Sequence, residues 1–226
     1  MSSGDADITN TEEIQKLRSF SATVNTPLSE RQAQTLIAFG KYLEEVNKTL
    51  NLTRIPASEY LSLHVMDSLS IAGVVDLRNA KSLLDVGTGA GFPAVPLAVA
   101  FPKTAVTAMD ARNKKLSFIA DACARLGIGN VATLHARAEQ LAEKTPRQTF
   151  DVVTSRALAD YSVLVDWQLP FVAPGGCAVM LKSVNQAAEI SEPPRGWKQR
   201  VVKVEIPSAS GAEKLERLVV VVQRAA

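Results

Sequence analysis

Asp85-Val86-Gly87-Thr88-Gly89-Ala90-Gly91-Phe92 follows directly from the largely apolar run Ser82 to Val86, and this junction decides the fold. An apolar run ending on an acid-led G-x-G-x-G turn reads as a strand feeding a helix through a loop that cradles a nucleotide-like cofactor. Gly87 permits a tight turn, Gly89 lets a ligand approach the backbone, and a helix starting near Pro93 points its free N–H groups back at the loop. A dinucleotide fingerprint, G-x-G-x-x-G, would need glycine at position 92, whereas the chain has Phe92 and carries its third glycine at Gly91. Asp85 would repel a phosphate and suit the ammonium of a methionyl group, or else support the turn. S-adenosyl-L-methionine is therefore the leading cofactor. The plain alternative is an ordinary strand-to-helix turn.

Asp110 closes the next apolar run, Ala105 to Met109, close to the roughly 20-residue offset at which an acid at the end of a second strand reaches ribose hydroxyls. Its other reading is a cap on the following helix. Beyond it the pattern keeps alternating: helix Arg112–Leu126, strand Val131–His135, strand Asp151–Ser155, helix Ser162–Val172 and strand Cys177–Leu181. That alternation predicts an α/β fold, a Rossmann-like doubly wound sheet covered on both faces. The last apolar runs, Val201–Ile206 and Leu218–Gln223, predict an antiparallel edge.

Upstream, Ser29 and Gln32 form an S-x-x-Q capping box before Leu36, Leu43, Val46 and Leu50, predicting a helix over Ser29–Lys48. A second helix is expected over Ala57–Leu69, with His64 a satisfied, partly buried histidine. Three regions follow: a polar, partly disordered tail over 1–26 with at most a short helix near Glu12–Phe20, an N-terminal helical extension over 27–79, and the α/β domain bearing the glycine turn over 80–226.

In doubly wound sheets the ligand lies beyond the carboxyl ends of the strands, so four loops are expected to assemble the site. They carry Gly87 to Phe92, Asp110, Arg137-Ala138-Glu139, and Ser155-Arg156-Ala157. Ala138 and Glu139 fall where an adenine edge would lie, though Glu139 also suits a helix N-terminus. Arg156 ends an apolar strand, where a guanidinium needs a partner; Asp85 and Glu139 are the candidates. Arg137 and Lys182 are candidate substrate contacts, Lys182 being equally readable as an exposed strand-end lysine.

Lys and Arg number 25 against 23 Asp and Glu, so no global basic field advertises a polyanion. Between Lys103 and Arg156, however, basic residues outnumber acids, and that patch suits RNA or a solvated face. Cys123 and Cys177 read as buried small residues, which fits a reducing cytoplasm. His64, His135 and the separated cysteines supply no zinc spacing. No apolar run reaches the roughly 18 residues of a membrane span, and a monomer is expected.

The loop after the fourth strand reads Thr154-Ser155-Arg156-Ala157, with none of the Pro-Pro-aromatic pattern used on exocyclic base nitrogens. Neither cysteine follows a proline, which disfavours methylation at a pyrimidine carbon. Guanine N7 carries a free in-plane lone pair and needs no general base.

Several segments together carry a resemblance: Asn47-x-x-x-Asn51-Leu52-Thr53, His64-x-x-Asp67-Ser68-Leu69, Asp85 through Pro93, Asn130-Val131, Arg137-Ala138-Glu139, and Phe150-Asp151 with Thr154 through Ala157. From about Ser29 onward the chain resembles the glucose-inhibited division protein B family, the ribosomal RNA small subunit methyltransferase G enzymes. The resemblance implies a class I methyltransferase that uses S-adenosyl-L-methionine to methylate N7 of one guanosine in the decoding-centre loop of 16S rRNA, free or in the 30S subunit. It also implies cofactor roles for Gly87, Phe92, Ala138, Glu139 and Arg156, with Asp110 as the usual second-strand acid. The chain departs from the family at Ala94 and Ser183, where glycine is common. A class I enzyme for a small molecule or protein, and a non-enzymatic cofactor-binding assembly factor, are the alternatives.

Overall fold

The capping box does what the sequence requires of it. In the computed structural model, which describes residues 3–144, 149–210 and 213–224, Gln32 N–H donates to the Ser29 hydroxyl at 3.3 Å. The Ser29 N–H in turn donates to the Gln32 side chain at 2.9 Å, and α2 runs over Glu30–Leu50. The same Gln32 amide reaches on to the carbonyl of Val99 at 2.7 Å, so the cap also ties α2 to the helical segment that follows the glycine turn. The helix buries Leu36, Phe39 and Leu43 and stops at Asn51, which adopts a left-handed φ of 50°.

The N-terminal segment departs from expectation. The first helix, α1, spans Ser3–Thr23 and includes the short helix expected near Glu12–Phe20; Met1 and Ser2 lie outside the described residues. Leu17 is fully buried and Phe20 nearly so, both within the core shared with α2. Lys16 donates to the carbonyls of Ser208 and Ala209, each at 2.9 Å, which pins α1 to the far hairpin. Polar composition hid a docked helix: two buried apolar side chains near its C-terminal end and a clamped lysine hold it. The expected helix over Ala57–Leu69 is instead a broken helical run. It passes from a 3₁₀ turn at Ala57–Glu59 through a π-helical stretch at Tyr60–Met66 to α3, Asp67–Leu69, and a 3₁₀ turn at Ser70–Gly73.

Among the described residues seven strands form one sheet, β1 Ser82–Val86, β2 Ala105–Asp110, β3 Val131–His135, β4 Phe150–Arg156, β5 Val172–Ser183, β6 Trp197–Pro207 and β7 Lys214–Arg224. Their order is β3-β2-β1-β4-β5-β7-β6. The first five are parallel, and β7 pairs antiparallel with both β5 and β6, the edge the sequence predicts. Period-two alternation sends Leu83 and Val152 to one face and Leu84 and Val153 to the other. Helices α4 (Ala94–Ala100) and α5 (Asn113–Leu126) join α1 and α2 over the first face; α6 (Ala138–Lys144) and α7 (Tyr161–Gln168) cover the second. The order reverses between β1 and β4, where a ligand crevice is expected.

Replacing Leu17 with alanine is expected to destabilise the protein by about 2–5 kcal/mol in urea unfolding, the usual loss for a fully buried leucine. A loss within the ~0.5 kcal/mol typical of surface substitutions would return this segment to a tail.

Candidate active site

The glycine turn is held from within. Gly87, Gly89 and Gly91 all have positive φ, at 71°, 62° and 97°. A β-carbon on Gly87 would sit 2.6 Å from the Leu158 methyls, whereas one on Gly89 would meet nothing nearer than the Lys115 ammonium at 3.9 Å. Gly89 thus leaves the backbone open to the cleft. Five N–H groups around the turn are already committed: Thr88 to Met109 O, Gly91 and Phe92 to Thr88 O, Gly89 to Asp110 Oδ2, and Ala94 to Asp85 Oδ2.

Asp85 is fully buried beneath the turn and also accepts from the Thr154 hydroxyl at 3.1 Å. Burial raises its pKa from 3.8 to about 6, against the opposing pull of its hydrogen bonds. The structure gives this carboxylate to the turn, the second of its two sequence readings, since it does not line the cleft. A carboxylate there places negative charge where a dinucleotide site would place a phosphate.

Above the turn opens a cleft of about 1160 Å³. It brings together Gly87, Gly89, Phe92, Asp110, Arg137, Ala138, Glu139 and Arg156, all expected from sequence. Asp110 is 7% exposed and bridges the Gly89 N–H at 3.0 Å and the Arg112 N–H at 2.9 Å, with the Lys115 ammonium 3.5 Å away. It therefore ties the glycine turn to the residue just before α5 and borders the cleft at once. Arg137 and Glu139 face each other at 3.5 Å on the exposed rim.

Lys182 is corrected. It is 2% exposed, donating to Ala159 O at 2.6 Å and pairing with Glu189 at 3.0 Å, so it neither reaches a substrate nor lies exposed. Its strand, β5, lies between β4 and β7, where an exposed strand end was expected.

Arg156 is corrected in its partner. Neither Asp85 nor Glu139 receives it. Instead it donates to Leu63 O at 2.5 Å, to Asp67 at 3.1 Å and to His64 Nδ1 at 2.7 Å. Arg217, from β7, holds the other Asp67 oxygen at 3.1 Å. Because a guanidinium only donates, His64 Nδ1 must accept, which puts the ring proton on Nε2, where Thr53 Oγ1 accepts it at 3.1 Å. Burial, and then the Arg156 charge, push the His64 pKa down to about 3. Its neutral ring stacks on Phe92 with centroids 4.1 Å apart.

Sequence reading assigned no site role to the loop Asn51–Ile55, which forms another wall of the cleft. Asn47 shapes it, its side chain meeting Leu52 N–H at 2.6 Å, Thr53 N–H at 2.9 Å and Thr53 O at 2.9 Å. The signal was present, since Asn47, Asn51, Leu52 and Thr53 are among the segments carrying the resemblance. A smaller cavity of about 370 Å³ lies behind Thr53 and His64, between α1 and α2, and touches none of the glycine turn.

Comparison with known proteins places this geometry. The model of the family described as rRNA small subunit methyltransferase G matches residues 32–219. The chain belongs to the rRNA small subunit methyltransferase G family. Its relatives include the ribosomal RNA small subunit methyltransferase G of Clostridium beijerinckii, 40% identical over 75% of this chain and 72% of the relative. That of Leuconostoc citreum is 38% identical over 73% and 71%. Among solved structures, a putative O-methyltransferase from Klebsiella pneumoniae superposes with a TM-score of 0.58 at 16% identity, covering 82% of this chain and 90% of that one. That likeness carries the fold alone, the class I methyltransferase fold. S-adenosyl-L-methionine is the methyl donor of this family and fold, and the cleft suits it: five of the N–H groups around the turn are taken, an acid borders the open glycine, and Ala138 lines the cleft. Among the described residues of this family member no helix is long and apolar enough to cross a membrane.

A carboxyl whose folded pKa stands above its unfolded value stabilises the fold fully below about pH 4 and loses that contribution as pH rises through about 6. His64 works the other way, contributing fully above pH 6.5 and losing its contribution as pH falls toward 3. Asp85→Asn should therefore remove a fall in unfolding free energy between pH 4 and 7 on the order of 3 kcal/mol, the equivalent of moving a pKa from 3.8 to about 6. Denaturant titrations of both proteins across that range check this. Identical pH slopes would mean that Asp85 titrates alike in the folded and unfolded states.

Proposed function

We propose that this protein methylates N7 of a guanosine in the decoding-centre loop of 16S rRNA. The observation that carries the reading is the commitment of the groups on the β4 side of the cleft. His64 has both ring nitrogens engaged, Asp67 is held between two arginines, and Asp85 lies under the turn. Cys123 and Cys177 are buried, and burial pushes each thiol up to about 11. Such a wall offers neither a free general base nor a nucleophile, so it suits an acceptor that arrives with its own lone pair. Guanine N7 is such an acceptor.

When bound, S-adenosyl-L-methionine supplies an electrophilic methyl group on a sulfonium centre, which N7 takes as the thioether leaves. The chain's own contribution is position and dryness. Gly89 lets the backbone close on the cofactor, Asp110 and Glu139 are placed to accept from hydroxyl and amine donors, and Ala138 offers an apolar contact. Methylated N7 makes the base cationic, so a bare guanidinium against it would oppose the reaction. Arg156 avoids this, since Asp67 offsets its charge and its donors turn toward Leu63 and His64. Arg54, Arg112 and Arg137 border the same cleft and suit backbone phosphates.

Purified protein incubated with labelled cofactor and 16S rRNA or 30S subunits lacking the mark should label a single nucleotide, and digestion should release 7-methylguanosine. Label in another nucleoside, or only in protein, would overturn the reading. Asp110→Ala should weaken cofactor binding by about 1.5–3 kcal/mol, as for a hydrogen bond to a charged group. Unchanged affinity by calorimetry would remove Asp110 from the ribose role.

A further inference from the structure

Leu158 stands out on the wall of the cleft. It is 38% exposed, one of two exposed large apolar side chains among the described residues; the other, Val201, lies on edge strand β6. A leucine left in water at the mouth of a cofactor cleft forgoes burial worth having, and the backbone that presents it is itself strained. Ala157, just before it, has a φ of 47°, a left-handed conformation that non-glycine residues seldom adopt. The loop is held in place from both sides. Arg156 is locked onto Leu63, His64 and Asp67, and the Lys182 ammonium holds Ala159 O at 2.6 Å. Two cations, the half-buried Arg156 and the buried Lys182, thus clamp a strained turn that presents one exposed leucine. Strain that the surroundings enforce at a cleft is a pointer to function.

Its position says what it faces. Leu158 follows β4, yet its methyls lie over Gly87, at the end of β1. It therefore straddles the β1/β4 divide, where the strand order reverses. The cofactor-facing groups, Asp110, Ala138 and Glu139, belong to the β2 and β3 loops on one side of that divide. The space beside β4 is left for the acceptor. Trp167, from α7, lines the same cleft, and Arg54 and Arg137 border it.

We propose that Leu158 is the apolar seat on which the acceptor base lies flat, making it a specificity-determining residue for an unpaired RNA base. This deepens the reading above and rests on its acceptor being a nucleic-acid base. A base drawn from single-stranded RNA needs a dry face to replace its lost stacking, and apolar side chains supply one whatever the base's hydrogen-bonding edge. Seated over Gly87, the base is also shielded from water at the face next to the glycine turn.

Leu158→Ala and Leu158→Phe are compared with wild type on 30S subunits or 16S rRNA, whichever wild type methylates. Alanine should lower kcat/KM for the RNA about tenfold, within the range lost when a stacked base loses its platform. Phenylalanine, which restores a broad apolar face, should recover most of that loss. Calorimetry with S-adenosylhomocysteine should give all three proteins the same affinity. Unchanged kcat/KM in the alanine variant would overturn the proposal. So would a loss matched by an equal fall in cofactor affinity, because Leu158 would then serve only to hold the turn. The identity of the methylated nucleoside in wild type tests the N7 reading separately, and the variants are read on whatever base carries the label.

Discussion

A carboxylate buried under a glycine turn governs this structure. Asp85 sits where the free N–H groups of α4 begin and accepts one of them, while Thr154 of the neighbouring strand donates to its other oxygen. That single group closes the turn, joins β1 to β4 at the point where the strand order reverses, and puts negative charge where other doubly wound proteins bind phosphate. Its cost is visible in the pKa raised to about 6. The fold accepts an unfavourable burial beneath the loop whose open glycine, Gly89, borders the cleft.

The second constraint is the cluster around Arg156. Leu63, His64 and Asp67 come from the N-terminal helical run, Arg156 from β4 and Arg217 from β7. Removing one member of such a buried ion cluster leaves the others uncompensated, which is far more costly than never having built it. The helical extension is consequently part of the cleft rather than a neighbour of it. His64 carries the link further, through Thr53 to the loop shaped by Asn47 and through its ring to Phe92. Cofactor turn, β4 loop and N-terminal loop are one connected wall.

Much of this was legible in the chain because strands of a parallel sheet are short apolar runs and cofactor loops carry their acids at fixed offsets. The centres of all seven strands, the Ser29–Gln32 cap and the assembly of Gly87, Asp110, Ala138, Glu139 and Arg156 follow from local pattern. What escaped depends on distance. Asp67 and Arg217 are far apart in the sequence, and no spacing rule pairs them. Lys182 looked like a strand-end cation, yet a strand covered on both edges buried it against Ala159 and Glu189. The docking of α1 escaped because its polar composition masked Leu17 and Phe20, whose burial depends on a partner surface. The stretch 57–69 reads from sequence as one helix because side-chain periodicity does not distinguish α from π or 3₁₀ turns over so few residues.

The central claim is that a buried acid under the turn commits the cleft to a sulfonium cofactor. Titration calorimetry with S-adenosylhomocysteine and, separately, with NAD tests it most directly. Saturable binding of the first and no heat from the second, with NAD failing to displace the first, is the predicted result. Binding of NAD in competition with S-adenosylhomocysteine would show that the turn accepts a pyrophosphate despite Asp85, and the account would fail at its foundation.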